Sequence, residues 1–192
     1  DGDDPRLVPV ELEVTDPRQV AELARRLGDV SVVVNNAGVD RSTDLVTGDL
    51  ADVRDEFEVN VLGLLAVSRA FAPVLAAHGG GALLNVHSAL SWATLGNGYS
   101  ASKAAAWSVT NGLRAALAPA GTLVTGLHLG YTDTDMVAHV QAPKNDPRDV
   151  ARVAVQGLVD DLTEVLADDA SRAAKQALAG DPVHLGLARA AA

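Results

Sequence analysis

Tyr99 and Lys103 stand four residues apart in the run Tyr99-Ser100-Ala101-Ser102-Lys103, a spacing that sets both on one face of a helix. A phenol titrates near pH ~10 and is a poor acid or base at neutral pH, but a neighbouring ammonium stabilises the phenolate and draws the proton into use. The pair can therefore serve proton transfer; the bland alternative is a packed tyrosine beside a solvated lysine. Ser88 follows a predicted strand, and ligands of open parallel sheets bind outside the carboxyl ends of the strands. Its hydroxyl can hydrogen-bond a carbonyl oxygen as charge builds there. Ser91 on the same loop competes for that part, and either serine can simply cap the loop.

Asn35-Asn36-Ala37-Gly38 also follows a predicted strand, and its small residues let the backbone approach a flat ligand. Asn60 falls inside a long helical stretch, where asparagine is a weak helix former and marks a local break. His78, His87, His128, His139 and His184 show no metal-ligand spacing. They read as structural or surface groups, with His87, beside Ser88, the one to watch. Trp92 and Trp107 border a pocket or a subunit contact, or pack; packing is expected for Trp107. Asp160-Asp161 and Asp168-Asp169 read as solvated helix ends.

The elements that position these groups alternate. Leu7 to Val14 has the pattern of a strand, and Thr15-Asp16-Pro17 caps a helix that ends near Gly28. Val30 to Val34 reads as a buried strand, and a polar loop from Gly38 to Gly48 leads into the helical stretch that stops at Gly79-Gly80-Gly81. Strands are predicted at Ala82 to Val86, Gly121 to Leu129 and Thr163 to Leu166. Helices are predicted from about Tyr99 to Ala118, Pro147 to Leu158 and Asp168 to Leu178. This order predicts an α/β fold, a mostly parallel sheet with helices on both faces, in one domain over residues 1–192. The Ala-rich end at Ala188–Ala192 is expected to fray.

Composition narrows the function classes. A formal charge of −10 repels phosphate backbones and anionic lipid, which argues against nucleic acid and membrane surfaces as partners. No cysteine is present, so thiolate nucleophiles, disulfides and Cys-type metal sites are excluded, and a cytoplasmic setting is expected. No run of consecutive apolar residues reaches the ~18 of a membrane span, and the acidic start Asp1-Gly2-Asp3-Asp4 is unlike a signal peptide.

Taken in order, Asn35-Asn36-Ala37-Gly38, Asn60, Ser88 and Tyr99-x-x-x-Lys103 resemble the motif set of the short-chain dehydrogenase/reductases. Glu13-Val14-Thr15 and Leu129-Gly130-Tyr131-Thr132-Asp133-Thr134 extend the resemblance, which runs from about residue 7 to 137. It implies a Rossmann-like fold and hydride transfer between NAD or NADP and an alcohol or carbonyl substrate. Tyr99 would be the acid/base, Ser88 would orient the carbonyl, and Lys103 would lower the Tyr99 pKa and hold the nicotinamide ribose. Asn60 would hold a water relaying protons from Lys103. Val14, Asn35, Ala37 and Gly38 would border the adenine half of the cofactor, and Gly130, Thr132 and Thr134 its nicotinamide side. The helices of Asn60 and Tyr99 would carry a homodimer or homotetramer interface.

The sequence departs from that family in places. No glycine-rich turn precedes Leu7, so the family's first two strands and main phosphate-binding element are missing and the choice of NAD or NADP is unreadable; a longer parent chain is expected. Failing that, the strand at Leu7 to Val14 would pair directly beside Val30 to Val34. Ser88 and Tyr99 are 11 apart, about two fewer than the family spacing, which threatens to displace Ser88. A non-catalytic binding or scaffold protein on the same fold is the competing reading.

Overall fold

In the computed structural model, residues 4–187 are described; the acidic start at 1–3 and the Ala-rich end at 188–192 lie outside the described residues. Four strands, β1 (Val32–Asn35), β2 (Gly81–Val86), β3 (Thr122–His128) and β4 (Glu164–Leu166), form one sheet in the order β1-β2-β3-β4, with every neighbouring pair parallel. Parallel neighbours need a crossover, and helices supply each one. They are α2 (Leu50–Phe57) with α3 (Leu64–Ala77), then α4 (Gly98–Leu117), then α5 (Pro147–Val159); α1 (Pro17–Arg26) precedes β1 and α6 (Asp169–Ala177) follows β4.

Side chains alternate across the sheet, so β2 and β3 feed cores on both faces. On one face Val33, Leu83 and Val124 pack with Val20 and Ala24 of α1, Val67, Phe71 and Leu75 of α3, and the far end of α4. On the other face Leu84, Leu127 and Val165 pack with Ala154 and its neighbours on α5. Helices thus cover both faces of a Rossmann-like sheet, as expected.

Two expectations fail. Leu7 to Val14 is not a strand: the segment makes no sheet pairing. Leu12 and Val14 lean on the core of α1 and α3, while Leu7 and Val8 are exposed. Alternation is a local signal, whereas a strand exists only where its backbone is paired; packing on α1 and α3 takes Leu12 and Val14, and the outer edge of β1 is left without a described partner. For the same reason β1 is half exposed rather than buried, with Val32 and Val34 open and Val33 and Asn35 covered by α3. Leu50–Ala77 is one continuous helical stretch long and apolar enough, by length and composition alone, to cross a bilayer. In the fold its apolar side faces the sheet and α4, and it carries buried Glu56, Asn60 and Ser68.

The break expected at Asn60 is real. Between α2 and α3 the residues Glu58–Gly63 form a π-helical turn, a wider winding common at functional sites. Gly63 sits against Val14, whose Cγ2 would lie 2.9 Å from any Cβ there.

Candidate active site

Ser88 lies just past β2, and the strand pairing continues beyond it: His87 N donates to Leu127 O and Ala89 N to Leu129 O, at 2.7 and 2.8 Å. Its hydroxyl accepts from Leu90 N at 3.1 Å, capping a short 3-10 turn at Ala89–Ser91, and sits near enough to the Tyr99 phenol to favour its ionised form. Ser91 is occupied elsewhere, since its hydroxyl takes the Ser88 N–H at 3.4 Å. The short connection to Tyr99 therefore leaves Ser88 in reach.

Tyr99 and Lys103 are set by the start of α4. Asn97 caps that helix by accepting from Ser100 N at 3.0 Å and Ser100 Oγ at 2.7 Å, and Gly98 N donates to Thr43 O at 2.9 Å. Tyr99 is half-buried and Lys103 buried. The Lys103 ammonium lies 5.6 Å from the Tyr99 ring centre and donates to Val86 O at 3.1 Å. Burial pushes the Tyr99 phenol up from its ordinary value and the Asp40 carboxylate adds to that, while the nearby Ser88 hydroxyl pulls it down. Burial also pushes Lys103 down, to about 8, against the pull of Asp40. The phenol therefore stays above its ordinary value, the lowering expected from Lys103 is not seen, and the ammonium faces a backbone carbonyl instead.

Asn60 ties the π-helical turn to this pair. Its Oδ1 accepts from Val39 N, and its Nδ2 donates to Val39 O and Ser102 Oγ, each at 2.9 Å. Gly38 fills the space between: a Cβ there would stand 3.1 Å from Asn60 Oδ1 and 3.5 Å from Lys103 Nζ. Asn60, Gly38, Lys103, Tyr99 and Ser88 are thus brought together at the carboxyl ends of β1 and β2.

Val14, Asn35 and Ala37 meet at a separate recess with Gly63, Leu64 and Val67. The Asn35 amide turns inward, donating to Asn85 Oδ1 at 2.8 Å and Ser68 Oγ at 3.0 Å. Gly130, Thr132 and Thr134 lie on the loop after β3. The two threonine hydroxyls bond carbonyls of their own loop, at 3.4 and 3.3 Å, and Thr132 forms a backbone bridge with Asn145. Beyond Thr134 a cleft of about 690 Å³ is lined by Asp133, Val140, Lys144, Asn145 and Arg148 among others.

Sequence reasoning missed four groups. Asp168, read as a solvated helix end, accepts from Gly130 N at 2.6 Å, Asn145 Nδ2 at 2.5 Å and Ser171 N at 2.7 Å, and so fixes the loop after β3. Its signal was the Asp168-x-x-Ser171 capping box. Glu56, four residues before Asn60, is fully buried; one oxygen accepts from Arg41 N at 2.8 Å and the other has no partner among the described residues. Burial pushes its carboxyl up. Asp40 follows the Asn35 to Gly38 turn and projects its charge onto both Tyr99 and Lys103. His128 is buried behind Ser88. Trp92 and Trp107 pack edge to face with ring centres 5.8 Å apart, and Trp92 is buried rather than bordering a pocket.

Comparison with known proteins places this geometry. A 38% identical structure of a short chain dehydrogenase from Burkholderia cenocepacia J2315, in complex with NADP, superposes with a TM-score of 0.89 over 94% of this chain and 80% of its own. A 7α-hydroxysteroid dehydrogenase complexed with NADH and 7-oxo glycochenodeoxycholic acid is 25% identical, with a TM-score of 0.75 over 82% of this chain and 71% of its own. An uncharacterised oxidoreductase of Staphylococcus saprophyticus is 31% identical over 156 residues, 77% of this chain and 67% of that protein. The 1-deoxy-11-beta-hydroxypentalenate dehydrogenase of Streptomyces exfoliatus is 38% identical over 161 residues, 78% of this chain and 58% of that protein. The chain spans about half to two thirds of the length of the curated relatives it matches. The family model for short chain dehydrogenases matches residues 2–145, the stretch that holds Asn60, Ser88, Tyr99 and Lys103: the chain belongs to the short chain dehydrogenase family.

Proposed function

We propose that this chain carries the proton-transfer half of an NAD(P)-dependent oxidoreductase that interconverts an alcohol and a carbonyl. The observation that carries the reading is the convergence of Ser88, Tyr99 and Lys103 at the carboxyl end of β2, with the Lys103 ammonium 5.6 Å from the Tyr99 ring centre. The nicotinamide cofactor supplies the hydride. Tyr99 gives its proton to the carbonyl oxygen during reduction and takes it back during oxidation. Ser88 donates to the same oxygen and orients it. Lys103 holds positive charge against the phenolate, and Asn60 anchors the turn behind it.

The residues present fit parts of the cofactor. Val14, Asn35 and Ala37 would border the adenine half, as the family resemblance implies, and Gly38 keeps the approach to Lys103 free of a side chain. Gly130, Thr132 and Thr134 would hold the nicotinamide side. The relatives bind NADP in one structure and NADH in another, so both cofactors belong to the proposal. Assembly into a homodimer or homotetramer through the π-helical turn and α4 is part of it too; Leu62 stands 49% exposed on that turn.

Titrating NADH and NADPH into the purified 192-residue chain, followed by nicotinamide fluorescence, tests the reading. Saturable binding of either cofactor is expected. No binding up to millimolar concentration would contradict it and favour a non-catalytic binding protein on this fold.

A further inference from the structure

His128 closes β3 behind the active site. It is fully buried, its ring stacks on Trp92 with centres 3.8 Å apart, and its Nδ1 lies 3.3 Å from Ser88 O. A carbonyl oxygen only accepts, so Nδ1 must carry the proton. The other acceptor site of that oxygen takes Ser91 N at 2.9 Å, which leaves Ser88 O saturated. His128 Nε2 has no hydrogen-bond partner among the described residues. Glu164 Oε1 is 3.7 Å away, and its carboxylate is held instead by Lys175 Nζ at 2.6 Å and Trp107 Nε1 at 3.3 Å.

His87, whose ring centre is 5.0 Å from that of His128, takes the opposite tautomer. The Thr110 hydroxyl donates to Ala106 O at 2.9 Å and accepts from Asn85 Nδ2 at 2.8 Å. The His87 Nε2 contact with Thr110 Oγ1, at 3.0 Å, is therefore an Nε2–H donation into the remaining lone pair. Gly126 makes room for both rings, since a Cβ there would lie 3.1 Å from His87 Cδ2 and 3.3 Å from His128 Nε2. Burial lowers both imidazoles, His128 to about 4, so both are neutral near pH 7.

The geometry points to His128 as a positioning residue for carbonyl reduction: its Nδ1–H holds the Ser88 carbonyl, and with it the hydroxyl that meets Tyr99. This rests on the oxidoreductase reading above, and it adds a residue from β3 to the Ser88, Tyr99 and Lys103 group that the end of β2 and the start of α4 supply. The link is long-range in sequence and direct in space, because His128 and Ser88 are brought together by the parallel pairing of β2 and β3.

Nitrogen-15 NMR of the histidine-labelled chain reads the protonated nitrogen directly. A proton on Nδ1 of His128 and on Nε2 of His87 is expected; a bare Nδ1 on His128 overturns the inference. Turnover of the variants gives the second arm. His128→Leu keeps the bulk without the donor, and His128→Asn restores an N–H near the Nδ1 position. At unchanged NADPH affinity, kcat is expected to fall by on the order of tenfold or more in His128→Leu and to recover in His128→Asn. Equal losses in both variants, or none in His128→Leu, overturn the assignment. Where the variants fail to fold, the tautomer in the unsubstituted chain decides. That measurement needs neither cofactor nor turnover, so it separates failure of this inference from failure of the oxidoreductase reading.

Discussion

Lys103 reaches past the end of β2 to donate from Nζ to Val86 O at 3.1 Å, buried and within 5.6 Å of the Tyr99 ring centre. Its burial has a thermodynamic signature. With a folded pKa of about 8 against 10.5 for a lysine in water, the ammonium is disfavoured in the fold. The cost is complete below about pH 8, shrinks as pH rises, and is gone above the unfolded value.

At ~1.4 kcal/mol per pK unit that cost is about 3 kcal/mol, partly offset by about 1 kcal/mol for the Val86 hydrogen bond. Lys103→Met is therefore expected to be more stable than the parent by about 2 kcal/mol at pH 7 in urea unfolding. The difference should close as pH rises through the range between the two pKa values. A difference independent of pH would show that burial of the charge is not its source.

Asn60 should be costly to remove. Its amide makes three hydrogen bonds while 2% exposed, and Asn60→Ala leaves the Val39 N–H and C=O without partners. A loss of about 2–4 kcal/mol is expected by urea unfolding. A loss under 1 kcal/mol, on the order of an exposed substitution, would mean that water replaces the amide at no cost.

Asp168 governs the loop that bears Gly130. Burial pushes its carboxyl up, but hydrogen bonds from Ser171 N, Gly130 N, Asn145 and the Ser171 hydroxyl outweigh this and hold it below its ordinary value. Its contribution is present above the unfolded pKa and is lost as pH falls through the depressed folded one. Asp168→Ala is expected to cost about 2–4 kcal/mol at pH 7, combining a lost helix cap with the loop contacts. The gap to the parent should narrow in acid, and a gap that widens there would contradict the assignment.

How much of this was legible in the sequence follows the range of each interaction. Tyr99 and Lys103 share one helix, so spacing alone joined them, and Asn60 announced its break because asparagine disfavours a regular helix. Ser88 could be placed at a strand's carboxyl end because sheet topology is regular. The rest depends on contacts between distant elements. Asn35, Asn85, Thr110 and His87 form a buried ladder across β1, β2 and α4, and no local pattern pairs residues that far apart. Leu7 to Val14 shows the converse error, since alternation cannot say whether a segment pairs with an edge or, as here, lays its apolar residues on α1 and α3. Asp168 looked like any helix cap; that it also holds Gly130 N depends on how β3 and β4 align.

The account stands most directly on the phenol of Tyr99. Carbonyl reduction by the chain and by Tyr99→Phe, at saturating NADPH and with cofactor affinity measured in parallel, isolates that single oxygen. A fall in kcat of about 100-fold or more, with cofactor affinity nearly unchanged, is the predicted result. Activity retained in Tyr99→Phe would remove Tyr99 from the proton transfer and contradict the account.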